Sequence, residues 1–128
     1  MNILNRIRNT LTTLASGDVE MGGVWYGACQ VEKLEHWNYF VFNRLKTTKN
    51  NNSKVDYQTF YQVHIVHEDY IPEGYVQTVI KALEAQDASG TKLKPTNDDV
   101  TYNYTFKGNT NMVVEIATLT FYHPEKRC

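Results

Sequence analysis

The sequence predicts an α+β fold in which two hairpins form a four-stranded, mainly antiparallel sheet and two helices pack on one face of it. Two segments with helical spacing lie at residues 3–14 and 71–86, and each is followed by a pair of segments with strand-like alternation. The predicted order is therefore helix-hairpin-helix-hairpin. A chain of 128 residues has the size of one domain, so we treat residues 1–128 as a single unit.

The first helix is predicted from an apolar stripe at spacings of four, four and three residues, formed by Ile3, Ile7, Leu11 and Leu14. Gly17 is placed to end this helix. The run that follows, VWYGACQVE at 24–32, is β-prone but is interrupted by glycine, so it predicts either a short strand or an ordered loop.

The first hairpin is predicted from WNYFVFNRLKT at 37–47 and DYQTFYQVHIVHE at 56–68, both rich in aromatic and β-branched residues. Strand periodicity places Trp37, Tyr39, Val41 and Leu45 on one face of the first strand. The second strand carries its own apolar face, which consists of Tyr57, Thr59, Tyr61, Val63 and Ile65. The polar segment between them, TKNNNSK, predicts a solvated connection at the tip of a long hairpin.

The second helix is predicted within residues 71–86, because the apolar period changes there from two to about 3.6. Pro72 lies near the first turn, where its missing N–H is tolerated. Its apolar face consists of Tyr75, Val76, Val79, Ile80 and Leu83.

The second hairpin follows a polar connection at residues 87–99. Its first strand alternates apolar and polar residues and therefore predicts one buried face and one solvent-exposed face; the apolar residues are Val100, Tyr102, Tyr104 and Phe106. The turn KGNTN leads to a last strand at 112–123, which we expect Pro124 to close.

Composition and charge exclude several classes of function. The net charge of −1 gives no global field for binding nucleic acid or an anionic membrane. No segment approaches the roughly 20 apolar residues that span a bilayer, and the N-terminus lacks the apolar run of a signal peptide. Cys29 and Cys128 have no zinc or Cys-x-x-Cys spacing, so free thiols in a reducing cytoplasm are expected.

The most suggestive chemical cluster is YQVHIVHEDYIPEG, which contains His64, His67, Glu68 and Asp69. Residues three apart on a strand point to opposite faces, so the two histidines are not expected to share a metal ion. The acidic residues instead introduce the second helix, where they suit its dipole. Cys29 has no evident activating partner, and Asp98 with Asp99 lies in a polar loop. We therefore predict no catalytic residues, no metal and no cofactor.

Residues 34–124 resemble the tail terminator proteins of long-tailed phages and prophages of Gram-positive bacteria, also called tail-to-head joining or minor capsid proteins. The segments that carry the resemblance are WNYFVFNR, YQVHIVHEDYIPEG and VVEIATLTF. The resemblance implies the predicted element order and a structural role without enzyme activity. It also implies a ring, commonly hexameric, that caps the tail tube and docks on the neck of the DNA-filled head.

These implied partners are other copies of the chain, the tail-tube protein and a head-neck protein, with DNA only passing through the ring and no membrane contact. The expected location is the virion tail or neck, and the host cytoplasm during assembly. The near-neutral net charge of the chain suits a ring through which DNA passes, because a basic lumen would bind the DNA phosphates. We further predict that the hairpin-tip residues contact a neighbouring subunit; they are Lys49, Asn50, Asn51, Asn52, Ser53 and Lys54.

Two alternatives remain at this stage. A head-closure or connector subunit would share the neck but dock on the portal side. A small α+β enzyme or ligand-binding domain would use His64, His67 and Glu68 in a deep polar pocket.

Overall fold

The structure is a computed structural model that describes residues 3–17, 22–28, 37–49, 56–85, 93–95 and 100–126. Its helices and strands are α1 (Ile3–Ser16), β1 (Val24–Tyr26), β2 (Tyr39–Lys49), β3 (Asp56–Glu68), α2 (Tyr75–Glu84), β4 (Lys94–Pro95), β5 (Thr101–Phe106) and β6 (Val113–Lys126). Neither helix is long and apolar enough to cross a membrane.

The six strands form one mixed sheet with the order β1-β2-β3-β6-β4, and β5 also pairs with β6. β4 lies opposite residues 121–122 of β6 and β5 opposite residues 113–118, on the same side of that strand, so the sheet is five strands wide. β1 runs parallel to β2, whereas all other pairings among the described strands are antiparallel.

The predicted four-stranded sheet in helix-hairpin-helix-hairpin order is therefore wrong. The residues at 24–26 do form a strand, and it joins the edge of β2 in parallel, which requires a long connection rather than a hairpin turn. β4 enters the sheet between α2 and the last hairpin. The architecture remains α+β with two helices, but its sheet is mixed and wider than predicted.

The first hairpin is interrupted by a bulge between Arg44 and Lys46. Leu45 lies at this bulge and is exposed. Strand alternation predicted that Leu45 lies on the same face as Val41. An extra residue in a strand changes the face on which the side chains beyond it lie. The partner strand has no such irregularity, and its residues Tyr61, Val63 and Ile65 all contribute to the core as predicted.

The core lies between the two helices and one face of the sheet. The helices contribute Ile3, Ile7, Leu11, Val76, Val79 and Leu83. The sheet contributes Phe40, Phe42, Tyr61, Val63, Ile65, Ala117, Leu119 and Phe121. We call this side of the sheet the helix face and the opposite side the outer face.

The start of α2 and the end of β6 differ from the sequence prediction. α2 begins at Tyr75, because Pro72 to Gly74 form a turn in which the Pro72 carbonyl accepts from the Tyr75 N–H at 3.1 Å and Gly74 has φ 83°. At the other end of the fold, Pro124 lies opposite Gln58 and does not close β6. Beyond residue 122, β6 pairs only with β3 among the described strands, and a proline is tolerated where one side of a strand has no ladder partner.

Arg6 joins the two helices from within the buried interface. Its guanidinium donates to the backbone carbonyls of Leu83 at 3.4 Å and of Ala85, at the C-terminal end of α2. These are carbonyls that a helix cannot satisfy internally, and a cation at this end also complements the helix dipole. The buried charge of Arg6 is therefore accommodated by hydrogen bonds to these two carbonyls.

Candidate assembly surface

The joint between β3 and α2 is organised around two carboxylates. Glu68 Oε1 accepts from the backbone N–H of Trp37 at 2.8 Å and lies 2.6 Å from Lys107 Nζ. The Glu68 N–H in turn donates to Asn38 Oδ1 at 2.9 Å. These bonds connect the end of β3 to the residues before β2 and to the turn between β5 and β6, so Glu68 has structural partners on two other segments.

The second carboxylate, Glu115, belongs to β6 and faces the helices. Its Oε1 accepts from the Ile71 N–H at 2.9 Å, and its Oε2 accepts from the Tyr104 hydroxyl at 2.9 Å. The hydrogen bond to Glu115 raises the pKa of Tyr104, because it stabilises the protonated phenol beside a negative charge. Asp69, between these elements, has φ 65° and donates its N–H to the Val113 carbonyl at 2.7 Å.

The two histidines of this region lie on opposite faces of the sheet. His64 lies opposite Val41 and Thr118 on the outer face, whereas His67 follows the core residues Val63 and Ile65 along the helix face. The structure does not bring them together. No group of three or more histidine, cysteine, aspartate or glutamate side chains suited to a metal ion occurs among the described residues.

His64 takes part in a polar cluster on the outer face. Its Nε2 lies 2.9 Å from Asn43 Oδ1 and its Nδ1 lies 3.0 Å from Thr118 Oγ1. The Asn43 amide nitrogen donates to the carbonyl of Arg44 and to Gln62 Oε1, so its oxygen is the atom left to accept from His64. Burial lowers the pKa of His64. The cluster thus holds the imidazole of β3 between hydrogen-bonding side chains of β2 and β6.

The predicted hairpin-tip contact falls largely outside the described residues. β2 ends at Lys49 and β3 begins at Asp56, so residues 50–54 belong to the connection that sequence analysis identified. Cys29, Cys128, Asp98 and Asp99 also lie outside the described part of the chain.

The most exposed apolar surface is the edge of the sheet formed by β5. All six residues of this strand are exposed, although alternation predicted that one face would be buried. Its aromatic residues lie on the helix face, and Tyr70 lies near Tyr102. The exposed fractions are Tyr70 68%, Tyr102 46%, Tyr104 63% and Phe106 59%. A groove of about 370 Å³ adjoins this edge, with Tyr70, Pro72, Glu73, Gln77, Tyr102 and Glu115 among its lining residues.

The opposite edge of the sheet, formed by β1, also exposes an aromatic residue on the helix face. The Tyr26 ring lies edge-on to Phe42 with 5.2 Å between centroids and is 37% exposed. The guanidinium of Arg8, on the exposed side of α1, lies 5.4 Å from the centroid of the same Phe42 ring. A cation and an exposed aromatic ring are therefore adjacent at this edge.

Neither edge is predicted as a candidate site from the sequence alone. The signal available in the sequence was that neither VWY at 24–26 nor TYNYTF at 101–106 contains a charged residue or proline. Natural edge strands usually carry charges or prolines that prevent pairing with another chain. That signal becomes meaningful only once the strand order shows that these two segments are outer strands. β4, which shares the edge beside β6 with β5, does carry a lysine and a proline.

No protein-family model matches this chain, and no similar protein is found among curated sequences.

Proposed function

We propose that this chain is a structural subunit that caps a phage tail tube and joins it to the head, as the resemblance of residues 34–124 implies. The observation that carries the proposal is the pair of outer strands without charged residues: β5, which is exposed along its length, and β1, which exposes Tyr26. A closed ring is built from heterologous contacts, in which each subunit presents two different complementary surfaces. Two distinct edges at opposite ends of one sheet meet that requirement.

The chemistry of the site region favours assembly over catalysis. Glu68 and Glu115 use their oxygens to hold backbone N–H groups and neighbouring side chains in place. His64 and His67 lie on opposite faces, which argues against a single site that uses both of them, as the enzyme or ligand-binding alternative requires. The head-closure alternative shares the same surfaces and differs in the partner that it docks on.

The test is the mass and shape of the purified chain, alone and mixed with the tail-tube protein of the same phage or prophage genome. We expect closed rings, commonly of six copies, located at the ends of tubes in electron micrographs. A chain that stays monomeric over its soluble concentration range and leaves tube ends bare would contradict the proposal. Rings that ignore tubes but bind a portal-side neck protein would assign the chain to head closure instead.

A further inference from the structure

The two edges that β1 and β5 form among the described strands match each other in backbone phase. Directly after β5, the Lys107 N–H donates to the Met112 carbonyl at 2.9 Å, and the register continues through β5 without interruption to Thr101 opposite Thr118. Because N–H and C=O groups alternate in direction along a strand, the odd residues of β5 face β6. The backbone groups of Tyr102, Tyr104 and Phe106 therefore point to the open side.

β1 shows the corresponding pattern. Gly23 accepts from the Phe40 N–H at 3.0 Å, and the Gly27 N–H donates to the Phe42 carbonyl at 2.9 Å. Alternation then turns the N–H and C=O groups of Val24 and Tyr26 away from β2. These are also the residues opposite the core residues Phe40 and Phe42, so their side chains lie on the helix face.

At each edge, the residues with outward-pointing backbone groups are thus those with side chains on the helix face. In a hydrogen-bonded antiparallel pair, directly opposite residues place their side chains on the same face. Pairing β5 with β1 of another copy would therefore keep the helices of both copies on one side of a continuous sheet. The strand directions also allow this pairing. β1 is parallel to β2 and to β6, whereas β5 is antiparallel to β6, so β5 is antiparallel to β1 of a neighbouring copy in the same orientation.

Charge distinguishes this pairing from pairing of β5 with itself. The groove beside β5 is lined by Glu73 and Glu115, so two β5 edges would bring four carboxylates together. The β1 edge instead carries Arg8 on its helix face, next to Tyr26. Both edges therefore expose aromatic residues on the helix face, and their charges are of opposite sign.

We infer that β5 of one copy pairs antiparallel with β1 of the next copy, so that one continuous sheet runs through the assembly and Arg8 reaches the acidic groove of its neighbour. This inference rests on the proposed function, because it takes a second copy of the chain as the occupant of the edge. Two registers satisfy the backbone phase and also keep both Val24 and Tyr26 opposite residues of β5. They place Tyr26 of the neighbouring copy opposite Tyr102 or opposite Tyr104.

Disulfide cross-linking tests the pairing in the full chain. Cys29→Ser and Cys128→Ser provide the background, whose ring formation with tube protein is measured first. Directly paired residues in such a ladder have Cα atoms about 5.5 Å apart, within the range that a disulfide bridges. We expect Tyr26→Cys combined with either Tyr102→Cys or Tyr104→Cys to give a covalent ladder on oxidation, up to the number of copies in the ring.

The matched control is Tyr26→Cys with Asn103→Cys, in which the second thiol lies on the outer face and no ladder is expected. Rings that form without a ladder in either register would overturn the inference and leave the proposed function standing. A covalent dimer from Tyr104→Cys alone would show self-pairing of β5 and would overturn it as well. If the cysteine-free background neither forms rings nor caps tubes, both the inferred pairing and the proposed function are contradicted.

A charge exchange gives an independent measurement that does not use cysteine. Arg8→Glu is expected to raise the concentration needed for half-assembly about fivefold, and Glu73→Lys to do the same. The double variant is expected to assemble within about twofold of the wild type, since it restores one attractive pair. If the free-energy costs of assembly in the two single variants simply add in the double variant, the proposed contact is contradicted.

Discussion

The Tyr104 hydroxyl donates a hydrogen bond of 2.9 Å to Glu115 Oε2, while Oε1 of the same carboxylate accepts the Ile71 N–H at 2.9 Å. One side chain thereby links the edge strand β5 to the turn that precedes α2. The aromatic edge is thus positioned by a polar contact, although every residue of its strand is exposed.

Glu115→Gln is expected to lower the pKa of Tyr104 towards its ordinary value of 10.0, because the hydrogen bond to the carboxylate and its negative charge both favour the protonated phenol. Absorbance titration at alkaline pH measures the change. The signal of Tyr104 is isolated by subtracting the titration of Tyr104→Phe from that of the parent, in both backgrounds. An unchanged titration of Tyr104 in Glu115→Gln would show that the carboxylate does not act on the phenol.

The stability of the protein is expected to decrease as the pH falls from about 6.5, in part because of His64. Burial lowers the pKa of His64 from its usual 6.5, so the unfolded chain binds more protons than the folded chain in this range. The contribution is complete above pH 6.5 and is lost as the pH falls through the folded-state pKa. Chemical denaturation at a series of pH values should show a shallower acid dependence for His64→Gln than for the wild type. An NMR titration midpoint of His64 at or above 6.5 would refute this explanation.

Arg6→Met is expected to lower the free energy of unfolding by about 1–3 kcal/mol, because it leaves buried carbonyls at the end of α2 without their donor. The carbonyls concerned are those of Leu83 and Ala85. Arg8→Met is the matched control on the exposed side of the same helix, with an expected loss of at most about 1 kcal/mol from its contact with Phe42. Equal losses in the two variants, measured by urea denaturation, would show that the buried contact has no special role.

Deletion of Asn50 to Ser53 is expected to impair ring assembly or head joining while the free energy of unfolding changes little. The segment lies between the ends of β2 and β3, and its polarity and the length of the hairpin motivate the expectation. Ring mass and denaturation curves provide the two measurements. Unimpaired assembly and head joining after the deletion would exclude the loop as an intersubunit contact.

Some of the tertiary structure is already implicit in local patterns. The stripe of Ile3, Ile7 and Leu11 specifies the buried side of α1, and alternation along β3 specifies which of its residues reach the core. The same alternation places His64 and His67 on different faces, so the sequence alone was sufficient to argue against a shared metal site. Periodicity is a property of neighbouring residues, and these conclusions need nothing more.

The tertiary structure decided the position of each strand in the sheet. TYNYTF alternates in the way that a half-buried strand does, but β5 is an outer strand that the helices do not cover, so its aromatic side chains are exposed. VWY became the opposite edge only by pairing in parallel with residues 40–42, which lie more than ten positions further along the chain. Strand order depends on contacts between segments distant in sequence, and it is this order that turns two ordinary apolar runs into the candidate assembly surface.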